Sequence, residues 1–159
     1  MLDWESLFKR YVWDTQTTPY FTAVPRLTRV QANFEVLAFC LFFGILFAVV
    51  ALGALTDKAL FGRSPLLGLY AFSVVAACVI FNYTKALPAA AYLAAAPIAC
   101  IVYVGVYGFG DPELRLDSII VGGFLLLVAL YTPRLVAISR TYPEMPEGDA
   151  PPRRRRLFK

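Results

Sequence analysis

Glu35 and Arg134 are the ionisable residues standing closest to long apolar sequence, and their charges are opposite. Glu35 directly precedes an apolar run that starts at Val36. Arg134 falls inside another run that ends at Ile138. An ionisable group at membrane depth costs about 2.5–3.5 kcal/mol on insertion scales, so it pairs, snorkels to the headgroups, or marks the path of an ion or substrate. The expectation is that Glu35 and Arg134 share one rim of the protein and form a structural ion pair. The alternative is a substrate or proton role for Glu35.

Other chemistry has little material. The chain has no histidine, which removes imidazole as metal ligand, haem ligand, general base or proton relay. A nucleophile needs an adjacent base. No glycine-rich loop is followed by the lysine and hydroxyl residue of a phosphate cradle. Cys40, Cys78 and Cys100 all lie in apolar runs; an odd number there reads as small packing residues, with palmitoylation or metal binding as the alternatives. A channel or transporter needs a polar path, and the runs offer only Ser73, Asn82, Ser118 and Thr132, mostly near their ends. The reading is therefore not an enzyme, with no cofactor and no metal.

Four elements must position these residues: the apolar runs 36–55, 66–83, 89–108 and 119–138. Each is close to the roughly 20 residues that a helix needs to cross a bilayer. The expected fold is an all-α membrane protein with four transmembrane helices in a compact bundle. Residues 1–35 form an N-terminal amphipathic interfacial segment, and residues 139–159 a disordered basic tail. The acidic N-terminus, with Asp3, Glu5 and Asp14, does not read as a cleavable signal, so the first run is expected to stay as an anchor. Twelve lysines and arginines flank one side of the runs and three the other. The positive-inside rule then puts both termini in the cytoplasm, and an even number of crossings agrees.

The segments outside the runs read as interaction surfaces. Trp4, Leu7, Phe8 and Tyr11 recur at helical spacing, with Lys9 and Arg10 on another face. Such a helix lies in the headgroup layer, or docks on protein. Pro25 is placed to start a second helix, which slides along the interface or continues straight into the first span. Arg26 and Arg29 on it are expected to reach phosphate headgroups. Prolines and acids fill the segment after Ser139, followed by Arg153, Arg154, Arg155 and Arg156. This composition buries little and reads as disordered. Its arginines suit anionic lipid, at about 1 kcal/mol each; no folded nucleic-acid module accompanies them, so nucleic acid is not an expected partner.

Composition also separates the runs. Phenylalanine and leucine surround the first one, which suggests lipid contact. The third is rich in alanine: Ala90, Ala91, Ala94, Ala95 and Ala99 form four-residue small pairs that let helices approach closely. It is read as the central helix, kinked at Pro97. The fourth has only 13 uninterrupted apolar residues from Ile119 to Tyr131, about 20 Å of helix. It must continue through Pro133 and Arg134 to cross, with Asp117 or Ser118 as its cap.

The expected function is a non-catalytic accessory, assembly or scaffolding subunit. Its expected partners are other membrane proteins or itself, with a bilayer of anionic headgroups around it. A small oligomeric transporter or channel is the alternative. The alanine, arginine and proline content suits a bacterial inner membrane, with a eukaryotic endomembrane as the second choice.

Overall fold

The computed structural model describes residues 22–55, 64–107 and 115–148, apart from the side chains of Tyr107 and of 115–118. Four helices account for most of them: α1 (Arg29–Gly53), α2 (Pro65–Thr84), α3 (Leu87–Tyr107) and α4 (Arg115–Thr141). Short 3-10 turns, Val24–Arg26 and Tyr142–Glu144, flank α1 and α4. All four helices are long and apolar enough to cross a membrane.

Local chemistry sets the helix ends. Thr28 opens α1 with a reciprocal cap: its hydroxyl accepts from the Gln31 amide at 3.3 Å, and its own amide donates to the Gln31 side chain at 3.0 Å. This satisfies two backbone donors that a helix start leaves unpaired. Ser64 caps α2 through the Leu67 amide, with Pro65 at the first position. Lys85 ends α2 in the left-handed region, φ 53°, and its amide returns to the Phe81 carbonyl. Only Lys85 and Ala86 then separate α2 from α3, so the two form a tight antiparallel hairpin.

The most extensive packing joins α1 to α2 and α3 to α4, with α2 against α3 between them. Close backbone approach between α1 and α4 is sparse; long side chains bridge that gap. Along α1, Phe39, Phe43 and Phe47 recur every fourth residue and their rings touch in sequence, with centroids 5.1 and 4.7 Å apart. Tyr70 of α2 meets Phe47, Tyr131 of α4 stacks on Phe39, and Phe124 of α4 meets Phe42 edge-on. The core beneath is apolar and fine-grained: Val36, Ala71, Val74, Ala77, Phe81, Ala90, Leu93 and Leu135 are buried. Outside, Leu41, Ile45, Val49, Leu66, Leu69, Phe72, Val102, Leu127 and Leu130 are exposed. An apolar exterior of this extent matches lipid as the surrounding solvent. The chain is read as an integral membrane protein.

Several expected boundaries move. α1 begins at Arg29, not Val36, because the Thr28–Gln31 cap starts it seven residues earlier; Pro25 sits in the preceding 3-10 turn. The segment before the first apolar run thus continues straight into the span, and Glu35 lies well inside the helix. α4 begins at Arg115, ahead of the expected cap at Asp117 or Ser118. α3 is not the most enclosed helix. In its most apolar stretch 22% of residues are buried, as in α1 and α4, against 33% for α2. Residues 139–148 also depart from the expected disorder: the helix runs to Thr141, and the segment beyond it docks on the start of α1. The rest of the expected tail, and the amphipathic segment that includes Trp4, Lys9 and Arg10, lie outside the described residues.

Candidate functional site

Glu35 and Arg134 meet at the end of the bundle where α1 starts and α4 finishes. The guanidinium Nε donates to Glu35 Oε1 at 2.5 Å, and Nη2 donates to Oε2 at 3.0 Å. The pairing is a fork on both carboxylate oxygens, the geometry in which arginine binds a carboxylate most strongly. The hydroxyl of Tyr131 donates to Oε1 at 2.6 Å. Glu35's side chain is fully buried and that of Arg134 is 19% exposed. Desolvating both charges costs several kcal/mol per ion, and the forked pair with its third donor offsets that cost.

Spacing explains the convergence. Glu35 stands four residues before Phe39 and so heads the aromatic column of α1. Tyr131 and Arg134, three apart, share a face of α4. Tyr131 therefore stacks its ring on Phe39 while its hydroxyl reaches Glu35. The sequence reading missed Tyr131; its position one helical turn before Arg134 was the available signal.

Pro133 interrupts α4 within this same turn. Having no N–H, it leaves the Ala129 carbonyl without its usual partner. The buried Thr132 hydroxyl donates to that carbonyl at 2.9 Å. A neighbouring hydroxyl thereby satisfies the freed backbone group, as membrane helices require.

A second polar cluster lies on the same rim. Ser139 donates to the Lys85 carbonyl at 2.7 Å, tying α4 to the α2–α3 turn. The Lys85 ammonium donates to the Asn82 carbonyl and lies 6.0 Å from the centre of the Tyr142 ring. Burial pushes it below the usual lysine range. The Tyr142 hydroxyl donates to the Asn33 side chain at 3.0 Å.

The third cluster joins the two ends of the described chain. The Arg29 amide donates to the Pro146 carbonyl, and its guanidinium donates to the Pro143 carbonyl at 2.8 Å and to Glu147 at 3.3 Å. Leu27 and Met145 are buried beneath. Arg29 is thus tied within the protein instead of reaching for headgroups, because the turn after α4 supplies its acceptors. Arg26 is exposed.

The alanines of α3 divide between two faces. Ala90 is buried and Ala94 half-buried, whereas Ala91, Ala95 and Ala99 are exposed. The core-facing set is Ala89, Ala90, Leu93, Ala96 and Pro97. The expectation of a single packed alanine face is corrected accordingly. Arg153, Arg154, Arg155 and Arg156 lie outside the described residues.

Among the described residues, no three cysteine, aspartate or glutamate side chains gather to hold a metal ion. No family model matches the chain, and neither a characterised protein nor a solved structure is significantly similar to it.

Proposed function

We propose that this protein is a small polytopic accessory, assembly or scaffolding subunit that packs against other membrane proteins and catalyses no reaction. The observation that carries the reading is the internal consumption of its membrane-depth charge. Glu35 is fully enclosed and takes its donors from Arg134 and Tyr131. A carboxylate held this way staples α1 to α4, with both oxygens engaged by donors of α4 and the side chain closed off from solvent. The outer surface supports the same reading: Ala91, Ala95 and Ala99 present small side chains away from the core, and small residues let a neighbouring helix approach closely.

Orientation and location belong to the proposal. The lysine and arginine asymmetry favours both termini in the cytoplasm, and composition favours a bacterial inner membrane. Reporter fusions after Lys159 and beside Arg63 test the orientation; a signal from the far side of the membrane at Lys159 overturns it.

A small oligomeric transporter is the second reading, favoured by the presence of an ionisable pair inside helices. Affinity purification of the full chain in mild detergent separates the two. The accessory reading expects a stoichiometric complex with larger membrane proteins. A homodimer without other subunits, losing ion flux in liposomes on Glu35→Gln, favours transport and overturns it.

A further inference from the structure

The groove between α3 and α4, on the outer face of the bundle, ends at a cation. It is lined by Ala94 of α3 and by Pro133, Val136, Ala137, Arg140 and Thr141 of α4, with a volume near 510 Å³. That lies in the range of sites that hold drug-sized ligands, about 300–1,000 Å³. The spacing of the α4 residues puts them on one face of the helix. The groove exists because Ala94 and Ala137 carry only a Cβ and Pro133 a compact ring, where larger side chains would fill the space. Seven residues separate Pro133 from Arg140, so the groove runs about 10 Å along the helix, inward from the end where α4 leaves its span.

Its two ends differ chemically. The inner part is apolar and open on the membrane-facing side of the bundle. At the outer end, Arg140 is exposed and makes no ion pair among the described residues. Of the other arginines on this rim, Arg26 is also exposed but belongs to the turn before α1 and does not line the groove. Arg134 is committed to Glu35, and Arg29 to Pro143 and Glu147. An apolar groove about 10 Å long beside a guanidinium that makes no ion pair among the described residues suits an acyl chain attached to an anionic phosphate headgroup.

We infer that the α3–α4 groove binds an anionic phospholipid, with one acyl chain along Ala94, Pro133 and Ala137 and the phosphate on Arg140. This rests on the reading of α4 as a membrane span and is independent of whether the chain is an accessory subunit. Guanidinium is suited to phosphate because its planar fork donates two parallel hydrogen bonds. The Thr141 hydroxyl already donates to the Ala137 carbonyl at 3.0 Å, so Arg140 supplies the donors.

The test is lipid retention by native mass spectrometry of the full chain from mild detergent, titrated with dioleoyl phosphatidylglycerol or dioleoyl phosphatidylcholine. The wild type should prefer the anionic lipid, and Arg140 should account for about fivefold of that preference, the equivalent of one arginine–headgroup contact. Arg140→Gln, at an exposed position, should lower the preference by about this factor, with the phosphatidylglycerol adduct falling more than the phosphatidylcholine adduct. Ala137→Phe should fill the groove and reduce both adducts. Dihexanoyl phosphatidylglycerol should be retained less than the dioleoyl form, and inorganic phosphate should give no adduct. Equal retention of the two dioleoyl lipids by the wild type, or an unchanged preference in Arg140→Gln, overturns the proposal. So does Ala137→Phe converting a dimer to monomer with lipid retention intact, which would assign the groove to a second copy of the chain.

Discussion

Glu35 and Arg134 are 99 residues apart in sequence and form a two-pronged hydrogen-bonded pair, 2.5 and 3.0 Å, that closes the first helix onto the last. Since the backbones of α1 and α4 seldom approach closely, the pair, the Tyr131–Glu35 hydrogen bond and the Phe39–Tyr131 and Phe42–Phe124 contacts bridge these helices through long side chains. Arg134→Gln should therefore cost about 3–5 kcal/mol, because it leaves a buried carboxylate without its counter-charge. Glu35→Gln combined with Arg134→Gln should cost much less than the two single losses added. A thermal-unfolding double-mutant cycle in detergent measures the difference; strictly additive losses would mean that the two side chains do not stabilise each other.

Thr132 and Pro133 should behave as a unit. Thr132→Val removes the donor to the Ala129 carbonyl and leaves a buried acceptor unpaired, at about 1–3 kcal/mol. Pro133→Ala restores the backbone N–H that this carbonyl normally receives. In the Pro133→Ala background, Thr132→Val should therefore be nearly silent. Thermal unfolding of the four variants checks it, and an equal loss from Thr132→Val in both backgrounds would rule the coupling out.

Long-range apolar pattern made the four spans and the Glu35–Arg134 rim legible, since four antiparallel crossings return α4 to the side where α1 begins. The start of α1 was also written locally, in the Thr28–Gln31 spacing of a capping box, but the hydrophobic run begins later and masked it. Tertiary partners were not legible. Nothing in the composition of 139–148 announces that the Pro143 and Pro146 carbonyls accept from Arg29, so a proline-rich polar stretch reads as disordered. The division of the α3 alanines was hidden for a related reason: alanine is equally suited to a tight core and to an exposed small face, and only the positions of α2 and α4 decide between them.

That division gives opposite outcomes for one substitution at two neighbouring sites. Ala90 is fully buried, so Ala90→Leu overpacks the core and should cost about 1–3 kcal/mol. Ala95 is exposed, so Ala95→Leu should leave the thermal stability of the isolated protein unchanged. Its effect should appear instead as loss of co-purifying membrane proteins. Stability losses of equal size at both sites would show that the exposed assignment of Ala95 is wrong.

Gly148 controls how the chain beyond α4 sits on the start of α1. A Cβ at this position would fall 2.6 Å from the Thr28 hydroxyl oxygen, closer than any ordinary contact, and that hydroxyl is already the cap of α1. Gly148→Ala must displace either the segment 142–148 or Thr28. Loss of a threonine cap costs about 0.5–2 kcal/mol. Limited proteolysis should cut the variant faster between Thr141 and Gly148, and Thr28→Gly, which opens the space, should restore protection in the double variant. Unchanged cleavage in Gly148→Ala would mean that the segment is held elsewhere.

Lys85 should make stability rise with pH in the alkaline range. Burial holds its folded-state pKa below the ordinary lysine value of about 10.4. Its protonated form is therefore favoured by the unfolded chain, which binds more protons than the folded one between the two pKa values. The destabilisation is fully present below the folded-state pKa. It is relieved as pH climbs through that value toward the ordinary lysine pKa. Lys85→Met keeps the aliphatic stem and removes the titration, so it should flatten this slope and raise stability at neutral pH. Lys85→Gly should add a second gain, because Lys85 holds φ 53°, a conformation that costs a side-chain-bearing residue roughly 1–2 kcal/mol and glycine almost nothing. Thermal unfolding in detergent across the neutral to alkaline range, with the wild type beside both variants, reads the slope directly. A wild-type slope that persists in Lys85→Met would assign the pH dependence to another group and leave the Lys85 ammonium without an energetic cost.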